Sequence, residues 1–70
     1  MHEFQLHPDE EFIPLIQLLK AAHIAYSGGE AQQMVMDGMV TLNGQAESRK
    51  RAKIRRGDIV QMQDVTIKVV

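Results

Sequence analysis

The hydrophobic period changes at Gly38, and that change limits the fold more than any other feature of the chain. Before it, apolar residues recur at helical spacing. Leu15, Leu18, Leu19 and Ala22 fall at i, i+3, i+4 and i+7, and Ala31, Met34, Val35 and Gly38 repeat the stripe. After it, Met39-Val40-Thr41-Leu42 and the segment from Ile59 to Val69 read with a period of two, as strands do. Helices followed by strands, in 70 residues, predict an α+β fold. We expect two packed short helices followed by a small, mainly antiparallel β-sheet, in a single domain over 1–70.

The element ends carry their own signals. Glu3-Phe4-Gln5-Leu6 alternates and reads as an edge strand, and Pro8 with Asp9-Glu10-Glu11 reads as a turn. Pro14 suits the first position of a helix over 14–23, because its missing N–H is not needed there. Ser27-Gly28-Gly29-Glu30 has capping-box spacing and opens a second helix over 28–37. Gly38 closes it in the left-handed conformation. Asn43-Gly44 is a strong two-residue hairpin signal, so the segment from Gln45 to Ile54 is expected to return as a strand. Gly57-Asp58 marks another turn, and 59–62 with 65–69 form a final hairpin.

Several classes of protein fall away. There are no cysteines, so neither disulfides nor a thiolate zinc site is available. The longest apolar run is far short of the roughly 18 residues of a membrane span. Met1-His2-Glu3-Phe4 lacks the basic start and apolar stretch of a signal peptide, which leads us to expect a soluble, cytoplasmic protein. His2, His7 and His23 are scattered without metal-ligand spacing, and Ser27 has no neighbouring histidine to act as base. No catalytic residue, metal or cofactor is expected. His23, near the end of the first helix, complements the helix dipole by default.

The net charge of −1 conceals a strong asymmetry. Residues 1–48 hold Lys20 against seven acids, whereas 49–56 hold Arg49, Lys50, Arg51, Lys53, Arg55 and Arg56 with no acid among them. If Ala52 and Ile54 face the core, alternation sends Arg49, Arg51, Lys53 and Arg55 to the other face. Such a row places cations about 6.6 Å apart, from a strand rise of about 3.3 Å per residue. They repel one another unless an anion lies among them. A phosphate backbone relieves that repulsion and releases its own counterions on binding. Lys50 and Arg56 fall in the opposite phase and are weaker candidates.

A solvated surface strand protected against edge pairing explains the same run of charge, and so does an acidic protein partner. The Ser27-Gly28-Gly29 helix start offers backbone N–H groups at the positive end of a dipole, although ordinary capping is the better account of Ser-Gly-Gly-Glu taken alone. The strands after residue 38 carry no aromatic residue, so recognition is expected to run through backbone and shape rather than stacked bases. Tyr26 is the one ring placed to stack, with packing in the linker as its default role.

Two short helices, then Gly38-Met39-Val40-Thr41-Leu42-Asn43-Gly44, a basic return containing Glu47-Ser48-Arg49-Lys50, and Gly57-Asp58-Ile59-Val60 resemble a known family. It is the RNA-binding domain named for the fourth protein of the small ribosomal subunit, here the S-four-like domain, and above all its stand-alone bacterial version, the YbcJ type. Leu18-Leu19-Lys20 and Ser27-Gly28-Gly29-Glu30-Ala31 match as well, so the likeness covers about residues 12–62.

The resemblance implies that Lys20, Ser27, Gly28, Gly29, Arg49, Lys50 and Lys53 line one RNA-binding surface. It also implies that Asn43 and Gly44 shape that surface and that Gly57 and Asp58 form a structural turn. Gln32 departs from a lysine common in the stand-alone members, and Arg51 stands where a small residue is common. The expectation is therefore a non-enzymatic, monomeric protein binding structured or ribosomal RNA, and thereby ribosomal particles, through Arg49, Arg51 and Lys53. Lys50, Arg55 and Lys20 support them. The rival is a module that docks an acidic protein partner on the same segment.

Overall fold

The two helical stripes close on one face of the sheet. In chain order the elements are β1 (His2–Phe4), β2 (Ile13–Pro14), α1 (Leu15–Ala21), α2 (Gly28–Met36), β3 (Val40–Leu42), β4 (Gln45–Ala46), β5 (Lys53–Ile54), β6 (Ile59–Met62) and β7 (Val65–Val69). They belong to a computed structural model that describes residues 2–70. Leu15, Leu18 and Leu19 of α1 and Ala31 and Val35 of α2 are fully buried against Val40, Val60, Ile67 and Val69 of the sheet. Each such side chain contributes about 1.5–3 kcal/mol for the larger apolar types, which is how a chain this small holds together.

The main sheet runs β1-β7-β6-β3-β4. Its neighbours pair antiparallel except β1, which lies parallel to β7 with His2 opposite Ile67. The edge strand is thus displaced from the expected 3–6. Leu6 leaves the ladder to be buried, and its N–H donates to the Val70 carbonyl at 2.9 Å. The 43–44 hairpin forms as expected, with φ of 52° at Asn43 and 87° at Gly44, the two positive angles such a turn needs.

Both helices are shorter than their sequence signals suggested. Pro14 is the N-cap of α1, in extended conformation, because it also pairs with Lys53 in the small β2–β5 sheet. At the other end His23 takes a left-handed φ of 62° and turns the chain out of the helix. The His23 N–H then donates to Lys20 and the Ile24 N–H to Leu19, the double bond of a Schellman ending. Gly38, at φ 73°, ends α2 in the same way through Val35 and Met34.

The largest departure concerns residues 45–54, expected to be one strand. Only Gln45–Ala46 and Lys53–Ile54 are extended, and they belong to different sheets. Between them the chain turns, closed by the Ala52 N–H donating to the Arg49 carbonyl at 3.2 Å. The β5 strand pairs with β2, placing Ile54 opposite Ile13. Burial of Ala52 and Ile54 in the core pulls the segment across to the helices instead of along β3. Among the described residues, no helix is long and apolar enough to cross a membrane.

Candidate nucleic-acid interface

Ala52 and Ile54 anchor the basic segment from beneath, and alternation about them turns Arg51, Lys53 and Arg55 outward. Together with Arg49 these side chains line one shallow open concavity whose floor is Ala52. The four cations of the expected row are therefore brought together, but by a turn followed by a short strand rather than by a continuous strand. The first two amides of α1 fix the turn. Leu15 N–H donates to the Ala52 carbonyl at 2.9 Å and Ile16 N–H to the Lys50 carbonyl at 3.3 Å. The backbone of the site thus serves as the cap of α1, which has no side-chain cap.

Two cations are held by further contacts. The Lys53 ammonium lies 5.1 Å from the centre of the Phe12 ring, within cation–π range. The Arg55 N–H donates to Asp58 Oδ2 at 2.8 Å, and Asp58 Oδ1 accepts from Asn43 Nδ2 at 3.1 Å. Asn43 Oδ1 in turn accepts from the Ile59 N–H at 2.9 Å. The β3–β4 turn and the turn at 55–58 are laced together, which sets where Arg55 emerges. Asp58 engages the backbone of Arg55 and leaves its guanidinium uncommitted.

Arg49 is different. Its Nε and Nη2 donate to Glu47 Oε2 and Oε1 at 3.0 and 3.1 Å, a two-pronged pair, and its N–H donates to Oε2 at 3.1 Å. The Glu47 side chain is only 11% exposed against 76% for Arg49. These hydrogen bonds from Arg49 hold the Glu47 carboxyl below the usual carboxylate range, and Glu47 raises the Arg49 guanidinium. The expectation of four unneutralised cations is corrected to three plus one paired. Counting acids only within 49–56 missed a partner two residues upstream. Among the described residues, no carboxylate forms an ion pair with Lys50, Arg51, Lys53 or Arg55.

The remaining expected residues lie elsewhere. Lys50 is exposed at the turn beside the concavity. Arg56 donates from Nη1 and Nη2 to the Glu10 and His7 carbonyls, both at 2.9 Å, so it pins the 7–10 turn and is structural. Lys20 sits exposed in the last turn of α1, at the end away from the basic turn. Ser27 caps α2, its Oγ accepting from the Glu30 N–H at 3.1 Å, while Glu30 Oε1 accepts from the Tyr26 N–H at 3.2 Å. Gly28 and Gly29 form the first turn that follows, and Gln32 is exposed on α2. Tyr26 does not pack in the linker: it is 95% exposed. Phe12 was not singled out in the sequence, whereas Glu47, two residues before Arg49 in the basic return, is a visible candidate to tie up a cation and does so.

A capped helix pair with a basic turn wedged between α1 and a five-stranded sheet defines a class. The S4 domain family model matches residues 5–70, and the chain belongs to that family. Among relatives, it is 36% identical over 64 residues to YbcJ of Escherichia coli, named as an RNA-binding protein, covering 91% of this chain and 87% of YbcJ. It is 34% identical over 55 residues to RlbA of Bacillus subtilis, named as a ribosome maturation protein, covering 79% of this chain and 78% of RlbA. A solution structure of E. coli YbcJ, described as revealing an αL motif involved in RNA binding, superposes with a TM-score of 0.77 at 33% identity. It spans all of this chain and 87% of that one.

Proposed function

We propose that the protein binds structured or ribosomal RNA without catalysing a reaction, through phosphate contacts made by Arg51, Lys53 and Arg55, with Arg49 and Lys50 at the margin. The observation that carries the reading is the concavity itself. Arg51, Lys53 and Arg55 project around a core-anchored floor, and among the described residues no carboxylate pairs with their side chains. Such an arrangement costs repulsion in the isolated protein and is relieved by a polyanion. Membership of the S4 domain family and the names of YbcJ and RlbA point the same way. Lys20, at the far end of α1, and the Ser27-Gly28-Gly29 amides are secondary contacts away from the concavity, with the Glu30 carboxylate opposing an anion at the helix start.

Amide-shift mapping with a short single-stranded RNA tests the assignment. Shifts at 50–55, with smaller ones at Gly28 and Gly29, are expected. Shifts confined to the sheet face away from this segment contradict it. If polyglutamate displaces the RNA at equal charge concentration and shifts the same amides to the same extent, the surface serves an acidic protein partner instead.

A further inference from the structure

Tyr26 is the aromatic residue that the fold leaves in water. Phe4 and Phe12 are partly buried, whereas Tyr26 is 95% exposed and contributes nothing to the core. Its backbone is nevertheless held, because the N–H donates to Glu30 Oε1 and the next residue is the cap of α2. The ring therefore projects from a fixed point rather than from a loose loop.

Two glycines follow Tyr26 closely in the chain. Gly28 and Gly29 occupy the first turn of α2, and within a helix interior glycine costs up to about fivefold in local helix stability relative to alanine. Neither has a positive φ. A Cβ at Gly28 meets nothing within 4 Å, and one at Gly29 meets only Ser27 Oγ at 3.9 Å. Neither backbone angle nor crowding requires glycine at these two positions. The helix start that follows Tyr26 and Ser27 therefore presents bare backbone.

Along the chain, one short helix separates the basic turn's contact from Tyr26. The first turn of α1 is hydrogen-bonded to Lys50 and Ala52, and Tyr26 follows shortly after its last turn. The helix between them, Leu15–Ala21, is about 10 Å long at 1.5 Å per residue. That is roughly three nucleotides at the 3.4 Å spacing of a stacked strand.

Resting on the RNA-binding reading above, we infer that Tyr26 is a stacking platform for an unpaired RNA base, at one end of a strand whose phosphates lie on Arg51, Lys53 and Arg55. Every base has a π-face, so the contact adds affinity without choosing a sequence. The chain holds one tyrosine and no tryptophan, which makes its intrinsic emission a reporter of this ring alone.

The test adds a short single-stranded oligoadenylate, or an abasic strand of equal length, and follows both binding of labelled strand and tyrosine emission. Oligoadenylate is expected to quench Tyr26, and the abasic strand to bind in a salt-sensitive manner without quenching. Tyr26→Phe should keep the affinity for oligoadenylate, whereas Tyr26→Leu should lose roughly 5- to 100-fold with the salt dependence unchanged. Binding of both strands with unaltered emission, and a Tyr26→Leu variant of full affinity, overturns the stacking role and leaves the phosphate surface standing. Absence of binding by either strand overturns the RNA reading and the ring's role with it. The ring touches no core residue, so these substitutions leave the fold intact.

Discussion

The pair between Glu47 and Arg49 shows how much one neighbour changes a charge. Arg49 is at once the cation most easily read from the sequence and the one least free in the fold. Glu47 fills its guanidinium with two hydrogen bonds and orients it through a third from the backbone. Because the folded chain lowers the Glu47 pKa, the pairing stabilises the fold fully above the ordinary carboxylate range. That contribution is lost as pH falls through the depressed value, and screening in water keeps it small. Following the Glu47 carboxyl resonance with pH checks this. In Arg49→Ala the titration should move upward, and an unchanged titration would show that the guanidinium's hydrogen bonds are not its main cause.

Among the elements, the helices and hairpins were legible because each rests on local chemistry. The apolar stripes of α1 and α2, the capping Ser27 and the Asn43-Gly44 turn all stand where their residues place them. The segment 45–54 was not legible, because its path is decided by partners distant in sequence. Ile13 and the first amides of α1 draw Ala52 and Ile54 away from β3. Alternation nonetheless predicted correctly that Ala52 and Ile54 turn inward and Arg51, Lys53 and Arg55 outward, although the backbone path differs. The end of α1 was missed for a different reason. His23 occupies a left-handed position normally given to glycine, so no glycine marked it. His23→Gly should therefore stabilise the protein by about 1 kcal/mol in urea unfolding, while Gly38→Ala should destabilise it by a similar amount. A loss of stability in His23→Gly would mean that the imidazole makes a contact worth more than the strain.

At the scale of the molecule, a mildly acidic chain gathers four of its eight lysines and arginines, Arg49, Arg51, Lys53 and Arg55, around one concavity. The concavity is open and its cations are few, which suits backbone contact with a polyanion more than enclosure of a small ligand. On the proposed function, recognition by this surface would depend on counterion release and tolerate sequence, and the inferred Tyr26 contact would add a stacking term that salt does not screen. The most direct test is the salt dependence of affinity for a single-stranded RNA, compared between the native chain and single alanine variants. Each of Arg51→Ala, Lys53→Ala and Arg55→Ala should flatten the log–log slope by roughly 0.7 and weaken all sequences alike. Arg49→Ala should flatten it less, because Glu47 already neutralises that side chain. Slopes unchanged by the three variants, or losses confined to particular bases, would contradict a phosphate-binding surface built from these side chains.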